Sequence, residues 1–266
     1  MKYLSPTINQ RRFMKWPPKL LLTARDMLTF RYLLNYKVMT VEQIWRYPFK
    51  EETDIGNVRK RLRKFQSEGL VKVQAIVFQK KVQRYFSITK KALTILQENE
   101  GLELHRKQLE SNSVIHDLVL VEIGECLKRT KNCLFYYPEN ELQCIFGDNF
   151  GLPDVIENNS DAFLKLKLGD QRFNVVIEYE NSAASKNKYR ELVHNYYYPD
   201  YINAVFFFYQ KDWIKKTIIE EEEKEYPNKN PKFFFFKLNS DKIDLENLTL
   251  KDRGGYELEL KRKKIA

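Results

Sequence analysis

Val175-Val176-Ile177-Glu178-Tyr179-Glu180 is apolar and β-branched until it turns acidic at its end. Such a run reads as a buried strand, on which residues two apart project from the same face. Glu178 and Glu180 then point the same way, roughly 7 Å apart at about 3.3 Å per residue. Carboxylates at the end of a buried strand are costly unless a cation sits beside them. Asp154, which follows Pro153 and opens the apolar run Val155-Ile156, is the expected neighbour. Three converging carboxylates suit a hard divalent cation, Mg²⁺ or Mn²⁺, able to polarise a phosphate and activate a water. The plainer alternative is that Asp154 is a turn or strand-end residue and that Glu178 and Glu180 form surface ion pairs with Lys186 or Lys188.

The flanking sequence reads as alternating strands and helices. Strands are expected at 133–137, 141–146, 162–168, 173–180, 203–209 and 232–238, with Pro153 to Ile156 a shorter one. Helices are expected at 113–129, 185–198 and 212–224. The first of these helices turns Ile115, Leu118, Val119 and Cys126 inward, and Glu122, seven residues after Ile115, falls on that apolar face, either paired at the helix edge or functional. Tyr196, Tyr197, Tyr198 and Tyr201 suit packing better than base stacking. His116 reads as a partly buried structural residue rather than a general base.

The front of the chain has a different character. Residues 1–110 hold 23 Lys and Arg against 10 Asp and Glu, a net +13, whereas the remainder holds 23 bases against 26 acids, a net −3, within an overall +10. A basic half joined to a mildly acidic one points to a polyanion-binding module attached to something else. Residues 1–19 form a basic arm. Thr23 caps a first helix with Met27, Phe30 and Leu34 on one face; Thr40 caps a second, with Val41, Ile44 and Trp45. A third helix begins near Thr53-Asp54. Its stripe Ile55, Val58, Leu62, Phe65 faces a core, and Arg59, Lys60, Arg61, Arg63 and Lys64 fill the positions between. Gly69 stops it, strands run over 70–78 and 82–88 around the basic turn Gln79-Lys80-Lys81, and Thr89 caps a fourth helix. Arg84 adds a cation to the second strand. The polar stretch 98–112 reads as a linker to a second domain at 113–266.

Cys126, Cys133 and Cys144 have neither zinc spacing nor a pairing scheme, which fits a reducing compartment. There is no signal-peptide core and no run of membrane-spanning length, so the expected location is cytoplasmic, with no membrane partner.

Three helices followed by a hairpin with a basic tip resemble a winged helix-turn-helix domain, in which the third helix enters the DNA major groove. The order of Glu122 helix, Asp154 strand, Glu178 strand and crossing helix resembles the PD-(D/E)xK restriction-endonuclease-like superfamily. That resemblance implies an α+β chain of two domains: a winged helix at 20–97 and a nuclease-like domain with a C-terminal extension. It also implies Asp154, Glu178 and Glu180 as metal ligands, with Glu122 completing the set. The superfamily's lysine two residues after Glu178 is replaced here by Glu180, so Lys188, or Lys186, becomes the expected support for water or phosphate. Behind a winged helix, Glu178-x-Glu180 followed by Lys188-Tyr189 is similar to the MobC-type conjugative relaxases and the plasmid replication-relaxation family. These imply an enzyme that recognises an origin of transfer or replication on double-stranded DNA and nicks it. A homodimer would suit a repeated DNA site, although no heptad run supports one. The three histidines, His105, His116 and His194, are unpaired, which argues against a tyrosine relaxase with a histidine-held metal. The alternatives are a non-catalytic DNA-binding regulator or replication factor with a degenerate nuclease domain, and a defence nuclease sharing the chemistry.

Overall fold

The computed structural model describes residues 20–78, 81–105, 107, 109–182, 185–239 and 248–263. The arm at 1–19, Lys80 and the final Lys264 lie outside these. The chain opens with α1 (Ala24–Asn35), β1 (Met39–Thr40), α2 (Val41–Arg46) and α3 (Ile55–Ser67). Thr23 and Thr40 each form a reciprocal capping box, with Asp26 and with Gln43, so the two helix starts are fixed by local hydrogen bonding. A hairpin of β2 (Val71–Phe78) and β3 (Lys81–Ile88) follows, then α4 (Lys90–Glu100), capped by Thr89 and ended by Gly101 in the left-handed region at φ 66°. β1 adds to the hairpin to give a three-stranded sheet in the order β1-β3-β2.

The second half contains α5 (Val114–Lys128), β4 (Cys133–Pro138), the short α6 (Glu139–Glu141) running into a π-helical turn at Leu142–Phe146, and α7 (Pro153–Glu157). Then come β5 (Ala162–Leu168), β6 (Gln171–Glu180), α8 (Lys186–Tyr197), β7 (Ala204–Tyr209), α9 (Asp212–Glu225), β8 (Phe233–Lys237), β9 (Leu248–Lys251) and β10 (Glu257–Leu260). Seven strands form one sheet in the order β10-β9-β8-β7-β6-β5-β4. β6, β7 and β8 are parallel and the outer pairings antiparallel.

β7 lies near the centre of this sheet and is buried throughout, as a strand covered on both faces must be. Val205, Phe207 and Tyr209 join the core beneath α8 and α9, together with Tyr189, Val193, Tyr196 and Ile218. Ala204, Phe206 and Phe208 face the other way, into a core shared with α5 and with Phe30, Leu33, Leu62 and Phe65 of the front half. α5 is thus packed on two sides, and from Asp117 to Leu127 Glu122 alone is not fully buried. Gly124 permits this closeness: a Cβ there would come within 2.5 Å of the Tyr36 hydroxyl and 2.7 Å of the Tyr136 hydroxyl. The chain is of mixed α and β structure, and no described helix is long and apolar enough to cross a membrane.

Two expected strands are helical. Pro153 occupies the first turn of α7, where its fixed φ suits a helix and its missing N–H costs nothing. The stretch expected as a strand at 141–146 is the π-helical turn, with Leu142, Gln143 and Cys144 buried. Short buried apolar runs satisfy either kind of element, and hydrophobic pattern alone does not separate them.

Candidate nucleic-acid interface and acidic site

Asp54 caps α3 by accepting the Gly56 N–H at 2.7 Å, and Val58, Leu62 and Phe65 turn inward. This rotation leaves Arg59, Lys60, Arg63 and Lys64 exposed on the opposite face. Lys81 and Arg84, on β3, are also exposed. Arg59, Arg63 and Gln66 of α3 and Arg84 of β3 line one groove, floored by Leu62, Val73 and Phe86. Arg59 lies 3.7 Å from Glu42, an exposed pairing worth little. Three guanidiniums around an apolar-floored groove form a surface suited to phosphate and base edges.

Arg61 does not belong to that surface. Its Nε donates to Asp26 Oδ1 at 3.0 Å, its Nη2 donates to Asp26 Oδ2 and to the Leu21 carbonyl, and its guanidinium lies over the Phe65 ring. Asp26 also serves the α1 capping box, so Arg61 is a structural cation binding α3 to the start of α1.

The carboxylates expected to converge are dispersed. Asp154, in the first turn of α7, accepts a hydrogen bond from the Tyr201 hydroxyl, and its own N–H donates to that oxygen at 3.1 Å. Glu122 faces α2, where it accepts from Gln43 Nε2 and Arg46 Nη1, each at 3.1 Å, and from the Tyr47 hydroxyl. Lys186 pairs with Glu221 of α9 at 3.3 Å. Among the described residues, no three His, Cys, Asp or Glu side chains are gathered as a metal would require.

The acid whose charge acts on Glu178 is Asp161, immediately before β5. Ala162 pairs with Ile177 across the antiparallel β5–β6 ladder, so Asp161 lies opposite Glu178 one step further on. Burial and the Asp161 charge push the Glu178 carboxyl well above the ordinary carboxylate range. The Tyr196 hydroxyl donates to Glu178 and lies 2.8 Å from Ser160 Oγ. Glu180, at the end of β6, has its side chain mostly buried, and its oxygens are taken by Ser182 and Lys188 rather than by Asp154. Burial alone would raise its carboxyl, but the Ser182 N–H and hydroxyl and Lys188 Nζ, at 3.1 Å, bring it below its ordinary value. Lys188 therefore does reach back from α8 to the strand end.

Asp161 Oδ2 also accepts the Tyr179 N–H at 2.7 Å and lies 3.4 Å from His116 Nε2. His116 stacks on the Tyr179 ring, donates Nε2–H toward the Tyr179 carbonyl at 3.0 Å, and has Asp117 at 3.4 Å from Nδ1. Burial works against its charge, but Asp161 and Asp117 overcome this and lift the imidazolium to about 11. Lys37, in the left-handed region at φ 65°, sends its ammonium between Asp117 and Glu139.

Asp161 and Glu178 are close enough for the charge of one to act on the other, and carboxylates are the donors that Mg²⁺ or Mn²⁺ takes, with remaining positions going to water and phosphate. Asp161 and Glu178 would hold such an ion. Asp161 immediately precedes the expected strand 162–168, and the two-residue turn Gly169-Asp170 sets its register against β6, so counting back from the turn finds it. His116, Asp117 and Lys37 carry no comparable signal in the sequence.

Comparison of the chain with protein-family models, with curated proteins and with solved structures finds no match.

Proposed function

We propose that this protein binds duplex DNA through the exposed face of α3 and the β2–β3 hairpin, in the manner of a winged helix-turn-helix. The observation that carries the reading is the groove in which Arg59, Arg63 and Arg84 meet over an apolar floor. α3 presents its cations away from the core, β3 supplies a guanidinium to the same groove, and the front half of the chain carries a net +13 over residues 1–110. Arginine forks read guanine edges and clamp phosphates, so the arrangement suits sequence-selective binding. The test is selection from a random duplex pool, followed by fluorescence anisotropy with Arg59→Ala/Arg63→Ala/Arg84→Ala. The native chain enriches a sequence, and the triple variant loses that preference. Equal enrichment by both removes the groove from the account.

A second reading is favoured by the Asp161–Glu178 pairing. The order α5, β4, β5, β6, α8, β7 is similar to a PD-(D/E)xK-like domain, with Asp161 in the place expected of Asp154. On this reading the protein nicks the DNA it binds, as a relaxase or replication-relaxation protein of a mobile element would. Asp161 and Glu178 would hold Mg²⁺ or Mn²⁺, and Lys188 would steady a phosphate at the end of β6. The bound ion would supply phosphate polarisation and an activated water. Relaxation of supercoiled plasmid in Mg²⁺ or Mn²⁺, lost in Asp161→Ala and Glu178→Ala but kept in Asp154→Ala, supports nicking. An inert native protein leaves a non-catalytic regulator or replication factor.

A further inference from the structure

The basic end of the chain returns to the body of the fold. Lys131 N donates to the Lys261 carbonyl at 2.9 Å, Lys263 N donates to the Arg129 carbonyl at 2.8 Å, and Thr130 forms an antiparallel bridge with Arg262. Thr130 is buried, so this contact is part of the packed structure. The adjoining Asn132 ties the same turn to β5, accepting the Lys167 N–H at 2.9 Å and donating Nδ2–H to the Lys167 carbonyl at 2.7 Å. Backbone hydrogen bonding thus assembles Lys131, Lys167, Lys261 and Lys263 at one end of the large sheet, all with exposed side chains. Lys261 has a carboxylate beside it, Glu259 at 3.4 Å, and both of that pair are solvated. Collecting cations that sequence had kept apart is unfavourable by itself and becomes favourable against a polyanion.

A chain of contacts runs from the arginine groove to Arg129, whose carbonyl accepts the Lys263 N–H. Val41, at the start of α2, lines the groove, and Arg46 and Tyr47 close the same helix. The Arg129 guanidinium lies 5.3 Å from the Tyr47 ring centroid and that of Arg46 5.7 Å from it. A six-residue helix spans only about 9 Å, so α2 carries these contacts from the groove to Arg129 over less than one duplex turn of about 34 Å.

We propose that this end of the sheet is a second contact for the same duplex, gripping phosphates that flank the segment held by α3 and the hairpin. The proposal rests on the DNA-binding reading above. Lysines are point charges without the planar fork that reads base edges, so the contact adds affinity and register but no sequence choice.

The experiment uses the full chain and a fluorescein-labelled duplex of its selected sequence, with anisotropy followed over a sodium chloride series. Lys131→Gln/Lys261→Gln/Lys263→Gln is compared with Arg63→Ala/Arg84→Ala. The lysine variant is expected to flatten the slope of log affinity against log salt by about 2 to 3, while its discrimination between selected and scrambled duplexes stays native. Arg63→Ala/Arg84→Ala loses discrimination. If the triple change impairs folding by circular dichroism, Lys131→Gln alone is expected to flatten the slope by about 1. A native slope in the lysine variant beside a weakened arginine variant overturns the second contact and spares the first. A native duplex slope with lost binding to phosphatidylserine vesicles overturns it in favour of a membrane surface. No salt-sensitive duplex binding by the native chain overturns both.

Discussion

Asp161 stands one residue before β5, next to the Ala162–Ile177 pair of the β5–β6 ladder, and its charge acts on the carboxyl of Glu178, one residue past Ile177 on β6. The two carboxyls live differently. Asp161 is answered by the Tyr179 N–H and the His116 ring, whereas burial and Asp161 itself hold the Glu178 carboxyl well above its ordinary value.

Glu178 therefore binds its proton more tightly in the native state than in the unfolded one. Its contribution to stability is complete below the ordinary value of 4.5 and is lost as pH rises toward the raised value. Glu178→Gln, which mimics the protonated form, should flatten the decline in urea-unfolding stability above about pH 5. An unchanged pH profile would mean that Glu178 ionises freely.

His116 is expected to remain an imidazolium well above neutrality. Its pKa is raised from 6.5 to about 11, so its stabilising contribution is full below 6.5 and fades as pH rises through about 11. The ring Cε1–H resonance should show no titration between pH 5 and 8, and Asp161→Asn should bring the midpoint down. A native midpoint near 6.5 would mean that Asp161 and Asp117 do not hold the imidazolium.

Arg61 and Arg63 should separate stability from binding. Arg61→Ala strips the buried Asp26 of its cation and should cost about 3 kcal/mol in chemical denaturation. Arg63→Ala, on the exposed face, should stay within about 0.5 kcal/mol of native stability and weaken duplex binding instead.

Gly124→Ala places a methyl group against the Tyr36 and Tyr136 hydroxyls, where α5 is closest to its neighbours. Both tyrosines belong to the core that joins the front helices to the sheet. The change should lower stability by about 1 to 3 kcal/mol, visible as a reduced thermal midpoint. Native-like melting would show that the two tyrosines move aside.

What was legible in the sequence was local or periodic. Thr23, Thr40 and Thr89 cap the helices they announce, the Val58, Leu62, Phe65 stripe faces the core, and 162–168 is a strand to the residue. Local cues fail where two elements are equally apolar, which is why Pro153 to Ile156 and 141–146 have the pattern of strands and fold as helices. The Pro153-Asp154 pair draws attention to Asp154, whereas the register set by Gly169-Asp170 points to Asp161. Arg61 and Glu122 turned on which partner lies across a tertiary contact. Nothing in their own neighbourhoods names Asp26 or Tyr47.

The most direct measurement is photocrosslinking of the full chain to its selected duplex carrying bromodeoxyuridine, with the attached peptides sequenced by mass spectrometry. Crosslinks are predicted within α3 and the hairpin, residues 55–67 and 71–88. Crosslinks confined to the seven-stranded sheet, with none on α3 or the hairpin, would contradict the claim that the arginine groove grips the DNA.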